Sequence, residues 1–287
     1  MAFRILRAST TIAVTIAASH LISPGVAAGT SSAPTPQARA AELMAKGRAA
    51  IGPIESLKSL SAVGTRKSMM GTSAGAPEPY ELHFVLPDRF VQLVKTLSPS
   101  SDINTYVWGF NGSTALNGVR TAAPMLYVGR ETNPTLEQRL FARLLLGWFL
   151  VTPAYLDVDY TYAGEAEASD GRKAFVIDAA GDKDFNARIF LDKSTCRPLM
   201  VTYKAMAGRG SAAAKPADGG GKKSSGAVDT GSGESNAVTY FSDVRGTGRL
   251  QLAHLLIDSR DGQTTQEIRF SKLTINPELK PALFARP

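Results

Sequence analysis

Gly71-Thr72-Ser73-Ala74-Gly75 has the G-x-S-x-G spacing of a nucleophile elbow, in which a serine on a strand-to-helix turn attacks an acyl carbon. That chemistry needs a helix after the serine. Ala76-Pro77-Glu78-Pro79 follows instead, and prolines so placed block a helix. The segment reads as a loop between strands. His83 and His254 could serve as the base, but each falls in a strand pattern with no acid paired to it in the sequence. Asp178, Asp182 and Asp184 surround Gly181, as carboxylates do in a calcium loop. No full calcium loop is present, and Ala180-Gly181-Asp182-Lys183 already reads as a hairpin turn. Asp157, Asp159, Glu165 and Glu167 alternate as acids do on an exposed strand face, and no glycosidase-like pair stands out among them. With a single cysteine, Cys196, a disulfide scaffold and a cysteine-rich zinc site are excluded, and a total of three histidines argues against a histidine-rich metal centre. The expectation is therefore no catalytic residue, no metal and no cofactor.

What remains is apolar chemistry. Phe84, Phe90, Trp108, Phe110, Phe141, Trp148, Phe149, Tyr160 and Tyr162 form an aromatic set. They either pack as an ordinary core or line a hydrophobic cavity for an acyl chain, and the sequence leaves both open. On the second reading, the side chains expected to meet the chain are Phe84, Trp108, Phe110, Phe141, Leu145, Trp148, Tyr160 and Tyr162.

These residues need elements to hold them. From Gln37 to Leu60 the apolar spacing is helical, with Gly52-Pro53 as a break between two short helices. Asn133-Pro134 opens a second helical region in which Leu136, Leu140, Phe141, Leu144, Leu145 and Trp148 recur at helical spacing. Arg139 and Arg143 lie on another face, and Pro153 ends the run. Strand patterns occupy 80–86, 90–97, 106–110, 155–162, 173–178, 185–191, 198–204, 238–244, 250–259 and 264–275. Asn111-Gly112, Asn117-Gly118 and Asp261-Gly262 are turn signals. Hairpin-length links dominate, so the expected class is α+β: a curved antiparallel sheet, an incomplete β-barrel, with helices covering its concave face.

Residues 1–28 read as a secretory signal peptide. Arg4 and Arg7 are the basic region, Ile12–Ile22 the apolar region, and Val26-Ala27-Ala28 the small residues before cleavage. The apolar run falls short of the about 20 residues that span a bilayer. Losing this segment lowers the net charge from +7 to +5. Residues 29–37 read as a flexible tether and 38–287 as one domain. Within it, 207–236 is a low-complexity insertion, rich in Gly, Ser and Ala, that cannot offset its ordering entropy. The basic residues are scattered, which argues against nucleic acid and suits, at most, anionic lipid headgroups.

Several stretches carry a resemblance: Phe190-Leu-Asp-Lys-Ser-Thr-Cys-Arg-Pro-Leu199, Val238-Thr-Tyr-Phe-Ser-Asp-Val-Arg245, Gly248-Arg-Leu-Gln-Leu-Ala-His254, and Glu267-Ile-Arg-Phe-Ser-Lys-Leu-Thr-Ile-Asn-Pro277 running into Leu283-Phe284. With Ala49-Ala-Ile-Gly52 and Leu57-Lys-Ser-Leu60, and in this order, they are similar to the outer-membrane lipoprotein-sorting protein family, the LolA/LolB-like periplasmic carriers. The similarity spans most of 40–287 outside the insertion. It implies a half-barrel with helices plugging a hydrophobic cavity, cargo that is a lipid or lipidated protein, and room for an outer-membrane acceptor. The arginine that helps hold the closed state in those carriers has no match here, so no functional residue is carried over. The resulting expectation is a monomeric, non-enzymatic periplasmic carrier in outer-membrane biogenesis. An envelope hydrolase using Ser73 or an acidic pair, and a non-catalytic envelope scaffold, are the alternatives.

Overall fold

A computed structural model describes residues 33–69, 75–97, 103–121, 134–168, 171–182, 184–206 and 234–286. The expected signal peptide, Ser73 and most of the 207–236 insertion lie outside them. Twelve strands form one antiparallel sheet: β1 (Ser59–Ser68), β2 (Glu78–Val85), β3 (Arg89–Leu97), β4 (Ile103–Asn111), β5 (Thr114–Arg120), β6 (Val158–Glu167), β7 (Lys173–Gly181), β8 (Asn186–Asp192), β9 (Pro198–Met206), β10 (Glu234–Thr247), β11 (Leu250–Arg260) and β12 (Gln263–Ile275). Two helices join it, α1 (Pro36–Ile51) and α2 (Pro134–Phe149). The strand order is β5-β4-β3-β2-β1-β12-β11-β10-β9-β8-β7-β6. Two meanders thus meet where β1 pairs with β12, and β5 and β6 are the edge strands among the described residues. The sheet is not closed, and α2 lies on the stretch of chain that joins one edge to the other.

Helix α2 packs on β4 and β5 near one edge and on β8 and β9 toward the other, so the sheet curves around it. Phe141, Ala142, Leu145, Leu146, Trp148 and Phe149 are buried on this concave side. Gly147 sets the depth of contact: a Cβ there would lie 2.5 Å from the Phe241 ring and 2.9 Å from Val201. Helix α1 starts on Thr35, whose Oγ1 accepts from the Ala38 N–H at 3.2 Å, with Pro36 at its first position. It ends at Gly52, whose φ of 120° is open to glycine, and it packs on β6.

The opposite, convex face carries Val91, Leu93, Val107 and Leu116, covered by the C-terminal segment. The 3-10 turn Pro281–Phe284 buries Phe284 there. Asn111 Nδ2 donates to the Phe284 carbonyl at 3.1 Å, and Arg120 donates to the carbonyls of Leu283 at 3.2 Å and Ala285 at 3.1 Å.

The α+β curved sheet matches the expectation, with local differences. The second short helix is only a 3-10 turn at Ile54–Ser56, and the chain then enters β1, which the helical spacing up to Leu60 hid. Asn117-Gly118 is no turn; it sits inside β5 opposite Trp108 and Val107. Pro36 and Gln37 belong to α1 rather than to a tether. Glu234, Ser235 and Asn236, expected within the insertion, are strand, paired with Met206, Ala205 and Lys204.

Candidate functional site

The eight side chains expected to meet an acyl chain come together. Phe84, Phe110, Phe141, Leu145 and Trp148 are buried in one cluster, and Trp108, Tyr160 and Tyr162 pack against it, half-buried. They arrive from β2, β4, α2 and β6, far apart in sequence. Phe141 of α2 is the hub: its ring centroid lies 5.4 Å from Phe84, 4.5 Å from Phe90 in a stacked pair, and 5.6 Å from Phe110. Trp148 stacks on Phe270 of β12 at 5.3 Å, and its indole N–H is buried without a partner. Tyr160 and Thr152 share a short hydrogen bond, and the Tyr155 hydroxyl donates to the Gln138 carbonyl at 3.1 Å. Burial pushes the Tyr80, Tyr155 and Tyr160 hydroxyls up, so all stay neutral. In this arrangement the side chains of α2, together with Leu43, Met44 and Ile51 of α1, fill the apolar cluster.

A cleft of about 390 Å³ lies on the convex face instead, with Leu199, Met200, Tyr240 and Ile257 among its lining. It shares none of the eight residues.

Polar groups collect at one end of the concave side. Asp258 follows Leu256 by two residues on β11 and faces the same way. Its Oδ1 accepts from Thr239 Oγ1 at 2.6 Å and its Oδ2 from Gln266 Nε2 at 2.5 Å. Desolvation holds this carboxyl above the usual range, against the pull of those two bonds. Tyr203 stands nearby on β9, and its ring lies 4.3 Å from the guanidinium of Arg143. Arg143 is only 6% exposed. The expectation that Arg139 and Arg143 lie away from the packed face is thus wrong for Arg143, which turns toward β8 and β9. A signal was present: Arg143 is the one charged residue between Leu140 and Thr152.

The hydrolytic alternatives find little here. The described flanks of Ser73 are β1 and β2, so its segment joins two strands with no helix after it. His83 meets Glu81 Oε2 at 3.1 Å; His254 meets Thr247 and the Phe270 carbonyl. Asp178 is engaged by Arg188 at 2.6 Å; Glu165 is engaged by Lys193 at 2.6 Å and Glu167 by Lys173, as expected of an outward strand face. Among the described residues no group of three or more His, Cys, Asp or Glu could hold a metal ion, and no helix is long and apolar enough to cross a membrane.

No protein-family model matches the sequence, and no curated protein matches it. Solved structures do match the fold. A LolA superfamily protein from Nitrosomonas europaea is 8% identical with a TM-score of 0.50, over 86% of this chain and 97% of that one. A domain named for outer membrane lipoprotein sorting, from Vibrio parahaemolyticus, is 12% identical with a TM-score of 0.47 over 86% and 96%. A DUF1329 family protein from Desulfovibrio piger is 11% identical with a TM-score of 0.45 over 88% and 98%. The chain carries a LolA-like fold, a likeness that lies in structure and not in sequence.

Proposed function

We propose that this protein is exported by its N-terminal signal peptide and works in the periplasm as a non-enzymatic carrier of acyl chains, borne by a lipid or a lipidated protein, in outer-membrane biogenesis. One observation carries the reading: an unclosed sheet holds its largest apolar cluster against two helices, α1 and α2, and the side chains of α2 occupy the aromatic centre of that cluster. A carrier needs such a replaceable plug. An acyl chain of about 15 carbons needs roughly 12 kcal/mol of shielding from water, at about 0.8 kcal/mol per methylene. Phe141, Leu145 and Trp148 offer a like apolar surface that cargo can exchange for. The remaining five residues, Phe84, Trp108, Phe110, Tyr160 and Tyr162, form the wall that meets the chain after exchange. The LolA-like fold supports the carrier class, and the cargo's donor and an outer-membrane acceptor would be separate proteins.

The test is native mass spectrometry of the mature protein taken from its own periplasm, followed by lipid extraction. The expected result is a stoichiometric phospholipid or acylated peptide. A clean apo mass, with no uptake of added lipid or lipopeptide, would leave the fold standing and remove the transport role.

A further inference from the structure

We propose that Arg139 and Arg143, one turn apart on α2, receive the anionic head of the cargo, a carboxylate or phosphate at the end of the acyl chain. The inference rests on the carrier reading and adds a charge requirement that the fold alone does not contain.

Arg143 is withdrawn from water, and no counter-charge pairs with it among the described residues. Its Nε donates to the Asn186 carbonyl at 3.1 Å. The rings of Tyr203 and Phe185 lie 4.3 and 5.4 Å from its guanidinium carbon. Such contacts use the faces of the group. The outer N–H groups, which form the planar fork that matches carboxylate and phosphate, find no acceptor among the described residues. Arg139 repeats the pattern: its Nε is buried with no partner, and no carboxylate among the described residues pairs with it.

Arg48 and Arg120 are likewise bonded to carbonyls, but other arginines are ion-paired. Arg66, Arg188, Arg245 and Arg269 each hold a carboxylate at 2.6–2.8 Å. The acids that could neutralise the α2 pair do not. Glu137 makes no ion pair with either arginine, and burial alone pushes its carboxyl up. Asp258, across from Tyr203, is bonded to Thr239 and Gln266 and is also pushed up by desolvation. Burial lowers the Arg143 guanidinium, and the charge of Arg139 lowers it further, while Tyr203 acts in the opposite sense. A buried cation beside a second cation is costly without a partner. An anion with two or more acceptor oxygens would satisfy both, and the apolar cluster around Phe141 sits on the same helix to take the attached chain.

The test uses the full mature chain and two fluorescent probes that differ only in charge: cis-parinaric acid and its methyl ester. Wild type is expected to bind the acid about tenfold or more tightly than the ester, the size of one or two charge-assisted hydrogen bonds. In the variant R139Q/R143M the preference should vanish with ester affinity unchanged; methionine at 143 keeps the volume without the charge. If that variant does not fold by circular dichroism, Arg139→Gln alone, at a half-buried position, should still cut the preference by about threefold. Equal binding of acid and ester by wild type would overturn this inference and leave the carrier reading intact. A preference that survives in the folded double variant would overturn it too. Failure to bind either probe would sink the carrier reading, and the inference with it. Inorganic phosphate alone separates the sources of the anion: thermal stabilisation by phosphate that the double variant loses, without any acid-over-ester preference, would assign the pair to a free anion and overturn the lipid-head form.

Discussion

Protonation of Asp258 couples to folding. Its carboxyl is held above the ordinary value by desolvation, and both oxygens are occupied by Thr239 and Gln266. The folded state therefore binds a proton that the unfolded chain has released once pH exceeds the usual aspartate range. Stability contributed by this group is full below that range and falls as pH rises through the raised folded value. Asp258→Asn keeps an acceptor for Thr239, and the Gln266 amide can turn to accept from the new amide nitrogen. The variant should lose this part of the pH dependence and equal or exceed wild type in stability at neutral pH. Urea denaturation from pH 4 to 8 reads both; a variant curve parallel to wild type would show that Asp258 stays ionised in the fold. A second residue prediction concerns Phe284, which fills the pocket over Val91, Leu93, Val107 and Leu116. Phe284→Ala should cost about 3–5 kcal/mol, the usual loss for a buried phenylalanine. A loss below 1 kcal/mol in the same titration would mean that the C-terminal segment does not hold the convex face.

At the scale of elements, the carrier proposal requires α2 to move. Gly147→Ala places a methyl group 2.5 Å from the Phe241 ring and 2.9 Å from Val201, contacts that force the helix outward. Overpacking of this kind costs about 1–3 kcal/mol. The expected readouts are a lower urea midpoint and easier uptake of an acyl probe; a lower midpoint with unchanged uptake would detach α2 from cargo exchange. Trp148 reports the same motion. The chain has two tryptophans, so Trp108→Phe leaves Trp148, stacked on Phe270, as the sole indole. Its emission should shift when an acyl chain binds, and silence would place the cargo away from α2. The periodicity of α2 was legible because six apolar residues at helical spacing leave one reading. Ten strands were legible through alternation or turn signals. Strand β1 was not, because Ser59–Ser68 holds Gly64, Arg66 and Lys67 and is fixed by pairing with β12 more than 200 residues away, as in Leu60 opposite Ile275. Strand β5 was hidden by Asn117-Gly118, a turn signal that the ladder with β4 overrides. The apolar members of the site were readable as types but not as one cluster, since only the sheet's curvature joins β2, β4, β6 and α2. Arg143 was misplaced because a charged residue on an amphipathic helix is by default assigned to water.

For the whole molecule, the topology separates a fixed part from a movable one. The pairing of β1 with β12 joins the chain's two ends at the middle of the sheet, and neighbours on both sides hold every strand there. Among the described residues, strands β5 and β6 each have one side without a partner strand. β6 protects its edge with the outward Asp159, Glu165 and Glu167 and with a bulge near Gly164, the devices that discourage sheet-to-sheet association. β5 has only Arg120 and leans on the C-terminal segment for cover. Local opening should follow this gradient, since backbone with fewer neighbours opens at lower cost. In hydrogen exchange, amides of β1, β11 and β12 should be slowest, and those of α2, β5 and β6 faster by orders of magnitude. Addition of an acyl probe should change protection in α2 and at the facing residues of β4 and β9 while leaving the β1–β12 pair untouched. Exchange that slows uniformly across all twelve strands would instead indicate a rigid core stabilised as one body, and cargo would then have to bind outside the concave face. The convex cleft lined by Leu199, Met200 and Tyr240 would become the place to look.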